Sequence, residues 1–162
     1  MTLSVPAASG PGFRTILSLA TQPNMFTNHV GVSQAFVQPE RELLPGDGHN
    51  GKVYIFSPPG YDEDPLYVHR LLKPLYGIPS AARAWHTTMS AFLAKEGYAT
   101  VRFEKSMWTV TIVGASILPG AHIDDFVIAC ANRQVLDDFR ARLLDASEGT
   151  YEGTLQQYLS GR

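Results

Sequence analysis

The stretch Ala121-His122-Ile123-Asp124-Asp125-Phe126-Val127-Ile128-Ala129-Cys130-Ala131 decides how this chain is read. Two adjacent carboxylates stand inside an otherwise apolar run, and burying an unpaired carboxylate costs several kcal/mol. A tight β-hairpin whose arms span Ile117 to Cys130 relieves that cost by lifting Asp124 and Asp125 together to the turn. A turn presenting two carboxylates is a good ligand for a hard, oxygen-seeking cation such as Mg²⁺. Taken alone, the dipeptide reads more simply as a solvated turn, because turns favour Asp. The neighbouring segments have to decide between the two.

Working outward, Ser106 to Val113 has strand character, and Val135 to Leu144 predicts a helix with Val135, Leu136, Phe139 and Leu143 on one face. Ser80 is a candidate N-cap for a helix whose apolar stripe is Ala84, Trp85, Thr88, Ala91 and Phe92 and which Gly97 closes. Upstream, Leu66 to Leu72 and Lys52 to Phe56 read as strands, the latter closed by Ser57-Pro58-Pro59-Gly60, and Pro39 to Gly51 as a loop. His29 to Phe36 reads as a strand running into a turn, and Phe13 to Thr21 as a short helix ended near Pro23. Strands mixed with helices packed on one face of a sheet make the expected fold class α+β.

At 162 residues the chain is one ordinary domain or a piece of a larger one. Residues 1–12, small and rich in Pro and Gly, read as a ragged terminal segment, which leaves 13–162 as the domain. Hydrophobic content of 44% against 17% charged excludes a disordered chain. A formal net charge of −2 argues against strong autonomous nucleic-acid binding, while leaving room for one local basic strip. Cys130 is the single cysteine, so an intrachain disulfide and a cysteine zinc site are excluded and a reducing compartment is compatible. No apolar run approaches the roughly 20 residues that span a bilayer, and no basic n-region opens the chain. No membrane partner is expected, and an intracellular, non-secreted location is.

Five segments carry a resemblance. They are Val32-Ser33-Gln34-Ala35-Phe36-Val37; Val53-Tyr54-Ile55 through Pro58-Pro59-Gly60-Tyr61; Leu75-Tyr76-Gly77-Ile78 through Ala81 with Arg83-Ala84-Trp85; His122-Ile123-Asp124-Asp125; and Tyr158-Leu159. In this order and spacing they resemble the reverse transcriptase of copia-type long-terminal-repeat retrotransposons, from about Phe13 to the end of the chain. The resemblance implies a polymerase-palm-like antiparallel sheet with helices on one face, incomplete fingers and no thumb. It also implies RNA-directed DNA polymerase chemistry assisted by two Mg²⁺ (or Mn²⁺) ions, with a template-primer of RNA or DNA, deoxynucleoside triphosphates and the remainder of a polyprotein as partners.

In that family one metal-bridging carboxylate comes from the first motif and one from the hairpin. The hairpin keeps its own as Asp124, with Asp125 as companion, so both are the implied catalytic and metal-binding residues. The aspartate position of the first motif is Gly31, which has no ligand to offer. Its same-face neighbours His29 and Ser33 are no substitute, since imidazole suits softer metals and a hydroxyl contributes little charge. Polymerase activity is therefore expected to be absent or very weak.

Other departures agree with a decayed fragment. Pro119-Gly120 sits in the hairpin's leading strand, where Pro removes a ladder donor and Gly weakens pairing. His122 replaces a tyrosine, Pro79-Ser80 replaces a Lys-Gln pair, and no Lys or Arg between Arg142 and Arg162 stands for the lysine that protonates pyrophosphate. An exposed apolar patch at Phe103, Met107 and Trp108 is expected.

Among the nucleotide-binding candidates, Phe36 either excludes a ribose 2′-hydroxyl or is a core aromatic at a strand end. Gly77 permits a backbone turn near the nucleotide, as any turn glycine would. Arg83 meets template phosphate or is an ordinary exposed helix arginine. Trp85 and Phe92 read as core. His29, His49, His69 and His86 lack ligand spacing and are assigned no metal. The alternative function is a non-catalytic protein-interaction or structural module that retains the palm scaffold.

Overall fold

Phe126 to Cys130 is five apolar residues without a polar interruption, so a strand made from it needs cover on both faces. A computed structural model describes residues 8–38, 52–61, 67–78 and 80–155. In chain order its elements are α1 (Gly10–Ala20), β1 (Phe26–Val32), β2 (Tyr54–Phe56), β3 (Val68–Arg70), α2 (Ala81–Lys95), β4 (Ala99–Val101), β5 (Glu104–Ile112), β6 (Ala115–His122), β7 (Asp125–Cys130), α3 (Arg133–Ala146) and β8 (Gly149–Gly153). Six strands form one antiparallel sheet in the order β4-β5-β6-β7-β1-β8, and β2 pairs with β3 in a separate ribbon.

The mixture of helices with an antiparallel sheet is the expected one, but the helices do not share a face. Phe126, Ile128 and Cys130 of β7 pack with Trp85, Met89 and Leu93 of α2 and with Leu136, Phe139 and Leu143 of α3. Val127 and Ala129, on the other face of the same strand, pack with Ile16 of α1 and with Met107 and Leu155. An unalternating strand is satisfied only in this way, which corrects the one-sided arrangement.

The helices follow local chemistry with two adjustments. α1 begins at Gly10, three residues before the expected start, because Ser9 caps it through an Oγ that accepts the Gly12 N–H at 3.1 Å. In α2 the buried positions are Ala81, Ala84, Trp85, Met89 and Leu93, so steps of four carry the core face and turn Ala91 outward. Ser80 precedes α2 with an already helical backbone (φ −87°, ψ −10°), and its side chain makes no capping bond, contrary to expectation. Gly97 ends the helix at φ +87°, as expected. α3 is capped by Asn132, whose Oδ1 accepts from the N–H groups of Gln134 and Val135, and its four expected core residues are all buried.

β4 and β8 were not anticipated, and β2 and β3 are shorter than their sequence patterns suggested. The expected patch at the β5 start is also corrected. Met107 and Trp108 are buried on opposite faces of the sheet, and only Phe103, in the turn before β5, stands out, at 89% exposure. β6 pairs with β7 from Ile117 to His122, but on its other side the ladder to β5 has no pairs at Leu118 and Pro119, the interruption expected where Pro removes a donor. Gly120 makes room for α1: a Cβ there would lie 2.2 Å from Ile16 Cδ1. The Pro39 to Gly51 loop, Pro79 and Tyr158-Leu159 lie outside the described residues. Among those described, no helix is long and apolar enough to cross a membrane.

Candidate functional site

The β6–β7 connection is a two-residue turn, Ile123-Asp124, flanked by the paired residues His122 and Asp125. Only Asp124 is in the turn. Asp125 opens β7 and belongs to the sheet, which corrects the expectation that the turn lifts both carboxylates. Ile123 has φ +61°, in the left-handed region that β-branched residues seldom adopt. The turn is held from below by Trp85, whose Nε1–H donates to the Ile123 carbonyl at 2.9 Å. It is held from the side by β1, where the Val32 N–H donates to the Asp124 carbonyl at 2.8 Å.

β1 and β7 pair with Gly31 directly opposite Asp125. A Cβ on Gly31 would lie 3.6 Å from Asp125 Oδ1 and 3.6 Å from Glu152 Oε1 on β8. Two residues back on the same face, the buried His29 donates from Nε2 to Asp125 Oδ1 at 3.0 Å. Two carboxylates and an imidazole thus surround the open space at Gly31.

A second group lies within electrostatic reach of Asp124. The Phe36 and Tyr76 rings lie 4.6 Å apart, and Phe36 packs against the core under α2 and α3. Burial raises the Tyr76 phenol pKa, the Asp124 charge raises it further, and a backbone hydrogen bond at Ala35 works against both. Gly77 follows at φ +92° with no atom within 4 Å of where a Cβ would be, a turn that favours glycine. Arg83 is exposed on α2, and among the described residues no contact links it to the aspartates.

Sequence reasoning places His29 beside Gly31 but misses its bond to Asp125, and it misses Glu152 and Tyr76 near the aspartates. His29 shares strand parity with Gly31, and that was the available signal. Glu152 depends on β8, which the sequence did not announce. Tyr76 lay inside a quoted motif without being singled out, and Trp85, read as core only, also holds the turn. As for metal, among the described residues no group of three or more His, Cys, Asp or Glu side chains is arranged to hold an ion. Asp125 is engaged by His29 and Gly31 supplies no ligand, so the residues present do not fit a two-ion site.

Comparison with known proteins identifies the family of the chain. Residues 2–161 match the family described as reverse transcriptase (RNA-dependent DNA polymerase). The Retrovirus-related Pol polyprotein from transposon RE2 of Arabidopsis thaliana is 27% identical over 125 residues, which cover 76% of this chain and 8% of that protein. Its counterpart from transposon RE1 is 28% identical over 125 residues with the same coverage. A putative transposon Ty5-1 protein of Saccharomyces cerevisiae is 24% identical over 93 residues, covering 56% of this chain and 30% of that protein. The chain therefore spans less than a tenth of the length of the two Arabidopsis polyproteins. No solved structure matches it. The match over nearly every residue shows that the chain belongs to the reverse transcriptase (RNA-dependent DNA polymerase) family.

Proposed function

We propose that this chain is the palm-bearing part of a retrotransposon reverse transcriptase whose nucleotidyl transfer is silenced at Gly31. The observation that carries the reading is the register of β1 on β7, with Gly31 opposite Asp125 where the first-motif carboxylate belongs. In-line phosphoryl transfer by this family needs divalent ions clamped between carboxylates. Here the hairpin offers Asp124, while Asp125 is turned to His29. Such an arrangement binds a metal weakly and leaves the charge of a triphosphate uncancelled. The Phe36 and Tyr76 rings form the side wall against which a nucleotide sugar would rest, and Gly77 keeps the backbone beyond them free of a side chain.

Calorimetric titration with Mn²⁺, with and without a nucleoside triphosphate, tests the reading. Gly31→Asp should raise affinity about tenfold or more, most clearly with the triphosphate present. Gly31→Asp combined with Asp124→Asn, or with Asp125→Asn, should lose that gain. If Gly31→Asp gains nothing, or gains equally when Asp124 is neutralised, the two positions do not form one site. Primer extension by the unmodified chain above background would refute the silencing directly.

A further inference from the structure

β8 ends at Gly153, opposite His29, so the start of β1, from Phe26 to Asn28, has no strand beside it on that edge. The gap leaves a cavity of about 230 Å³ between the start of β1, the start of α3 and the chain after β8, at the end of β1 remote from Gly31. Met25, Phe26, Leu136 and Leu155 give it apolar walls. Its polar side chains are unevenly employed. Thr21 Oγ1 donates to the Ser18 carbonyl at 2.8 Å, and Thr27 Oγ1 accepts the Leu155 N–H at 3.3 Å. Asn28 is only 3% exposed, yet its Nδ2 has no hydrogen-bond partner among the described residues. Arg133, the exposed first residue of α3, stands at the mouth with its guanidinium carbon 5.7 Å from the Phe26 ring centre. Its Nε donates to Asp137 at 3.3 Å, and Asp137 is itself shared with Arg140. The two terminal nitrogens of Arg133 make no bond among the described residues.

A buried amide without a partner gives up its hydration with nothing in exchange, so native chains rarely keep one. A single water would satisfy the Asn28 amide but would leave most of an apolar space of this size empty. The cavity falls below the roughly 300–1,000 Å³ of drug-sized sites, which limits an occupant to about the bulk of one ring. The donor inside and the cation at the mouth both call for an acceptor. A carboxylate serves both, because it takes several hydrogen bonds at once and carries the charge that a guanidinium seeks. The positive end of the α3 dipole, at Arg133, adds to the preference for an anion. We propose that this cavity binds a small monocarboxylate with a compact apolar body. The body rests against Met25, Leu136 and Leu155, and the carboxylate accepts from Asn28 Nδ2 and the Arg133 guanidinium. The proposal does not rest on the reverse transcriptase reading, since none of these residues belongs to the hairpin site.

Protein-observed NMR titration of the full chain with benzoate, benzyl alcohol and acetate tests it. Benzoate should shift the Asn28 side-chain amide and the Phe26 and Leu136 backbone amides saturably. Benzyl alcohol keeps the ring without the charge, acetate keeps the charge without the ring, and each should bind at least about fivefold more weakly. Arg133→Gln, at an exposed position, should weaken benzoate about fivefold or more while leaving benzyl alcohol within about twofold, a split that a merely structural role would not give. Asn28→Asp keeps the shape but sets a like charge against the ligand, and should weaken benzoate about tenfold or more. Arg83→Gln, at an exposed arginine on α2, should change nothing. Circular dichroism of each variant confirms that the fold is kept. If benzoate gives no saturable shift at Asn28 up to about 20 mM, the cavity is not a ligand site and the proposal is wrong. It is equally wrong if benzoate and benzyl alcohol bind alike, or if Arg133→Gln lowers both by the same factor. None of these variants touches Gly31, Asp124 or Asp125, so failure here leaves the metal titration standing, and failure there leaves this result standing.

Discussion

A β-branched residue is a poor choice at the first position of a two-residue turn that needs φ above zero, and this chain makes it at Val113 (φ +50°) and at Ile123 (φ +61°). The left-handed region costs an ordinary residue about 1–2 kcal/mol, more when the side chain is branched at Cβ. Val113 is followed by Gly114 at φ +73°, the pair of positive angles that Asn-Gly adopts most readily. Since the Val113 side chain is exposed, Val113→Asn loses no burial and should stabilise the chain by about 1 kcal/mol, read as a higher urea midpoint at unchanged slope. Ile123 is different, because Trp85 holds its carbonyl from the buried side. Trp85→Phe keeps a ring in the core but removes the donor, and should cost about 1–2 kcal/mol. The companion measurement is amide exchange at Val32, whose N–H donates to the Asp124 carbonyl and should exchange faster as the turn loosens. An unchanged midpoint and unchanged exchange would mean that the β6–β7 register alone holds the turn.

At the scale of elements, the docking of α1 rests on one missing side chain. Ile16 is fully buried against β6 in the space that Gly120 leaves, so Gly120→Ala should cost about 1–3 kcal/mol through overpacking. Ile16→Val removes Cδ1 and should recover part of that loss in the double variant, giving a coupling that denaturant melts resolve. If the two changes simply add, α1 does not seat on Gly120. The same contact shows what the sequence left illegible. Periodicity announced that α1, α2 and α3 each bury a stripe, but a stripe does not say which face of a sheet it meets. The clue to two-sided cover was the unalternating run of β7. β4 and β8 escaped because strands of three and five residues, with exposed side chains and few apolar ones, carry almost no alternation. That omission hid Glu152, while motif order was enough to bring Gly31 to the hairpin. The His29 contact with Asp125 needed the register of β1 on β7, which strand pattern alone does not fix.

At the scale of the whole molecule, the seam between α2 and α3 is where alkali should act on folding stability. Tyr98, just after α2, is buried and lies 5.0 Å from the Phe139 ring of α3. That burial pushes its phenol up to about 12, with the Arg142 guanidinium offsetting part of the effect. Arg142 is itself tied to Glu96 at 2.9 Å, so the charge beside Tyr98 is largely spoken for. A phenol that titrates near 10 in the unfolded chain and near 12 in the folded one keeps its proton longer when folded. Below pH 10 both states hold the proton and the stability is fully present. Between 10 and 12 the unfolded state releases it first, so stability falls as the pH rises through that window, by on the order of 2 kcal/mol. Burial also raises Tyr76, which adds a loss of the same sign. Urea melts at intervals from pH 8 to about 11.5 should therefore give a flat stability that declines above 10. Tyr98→Phe removes the ionisable group while keeping the ring against Phe139, so its decline should be visibly shallower. A Tyr98→Phe curve parallel to that of the unmodified chain across the whole range would show that this seam does not control the alkaline limb.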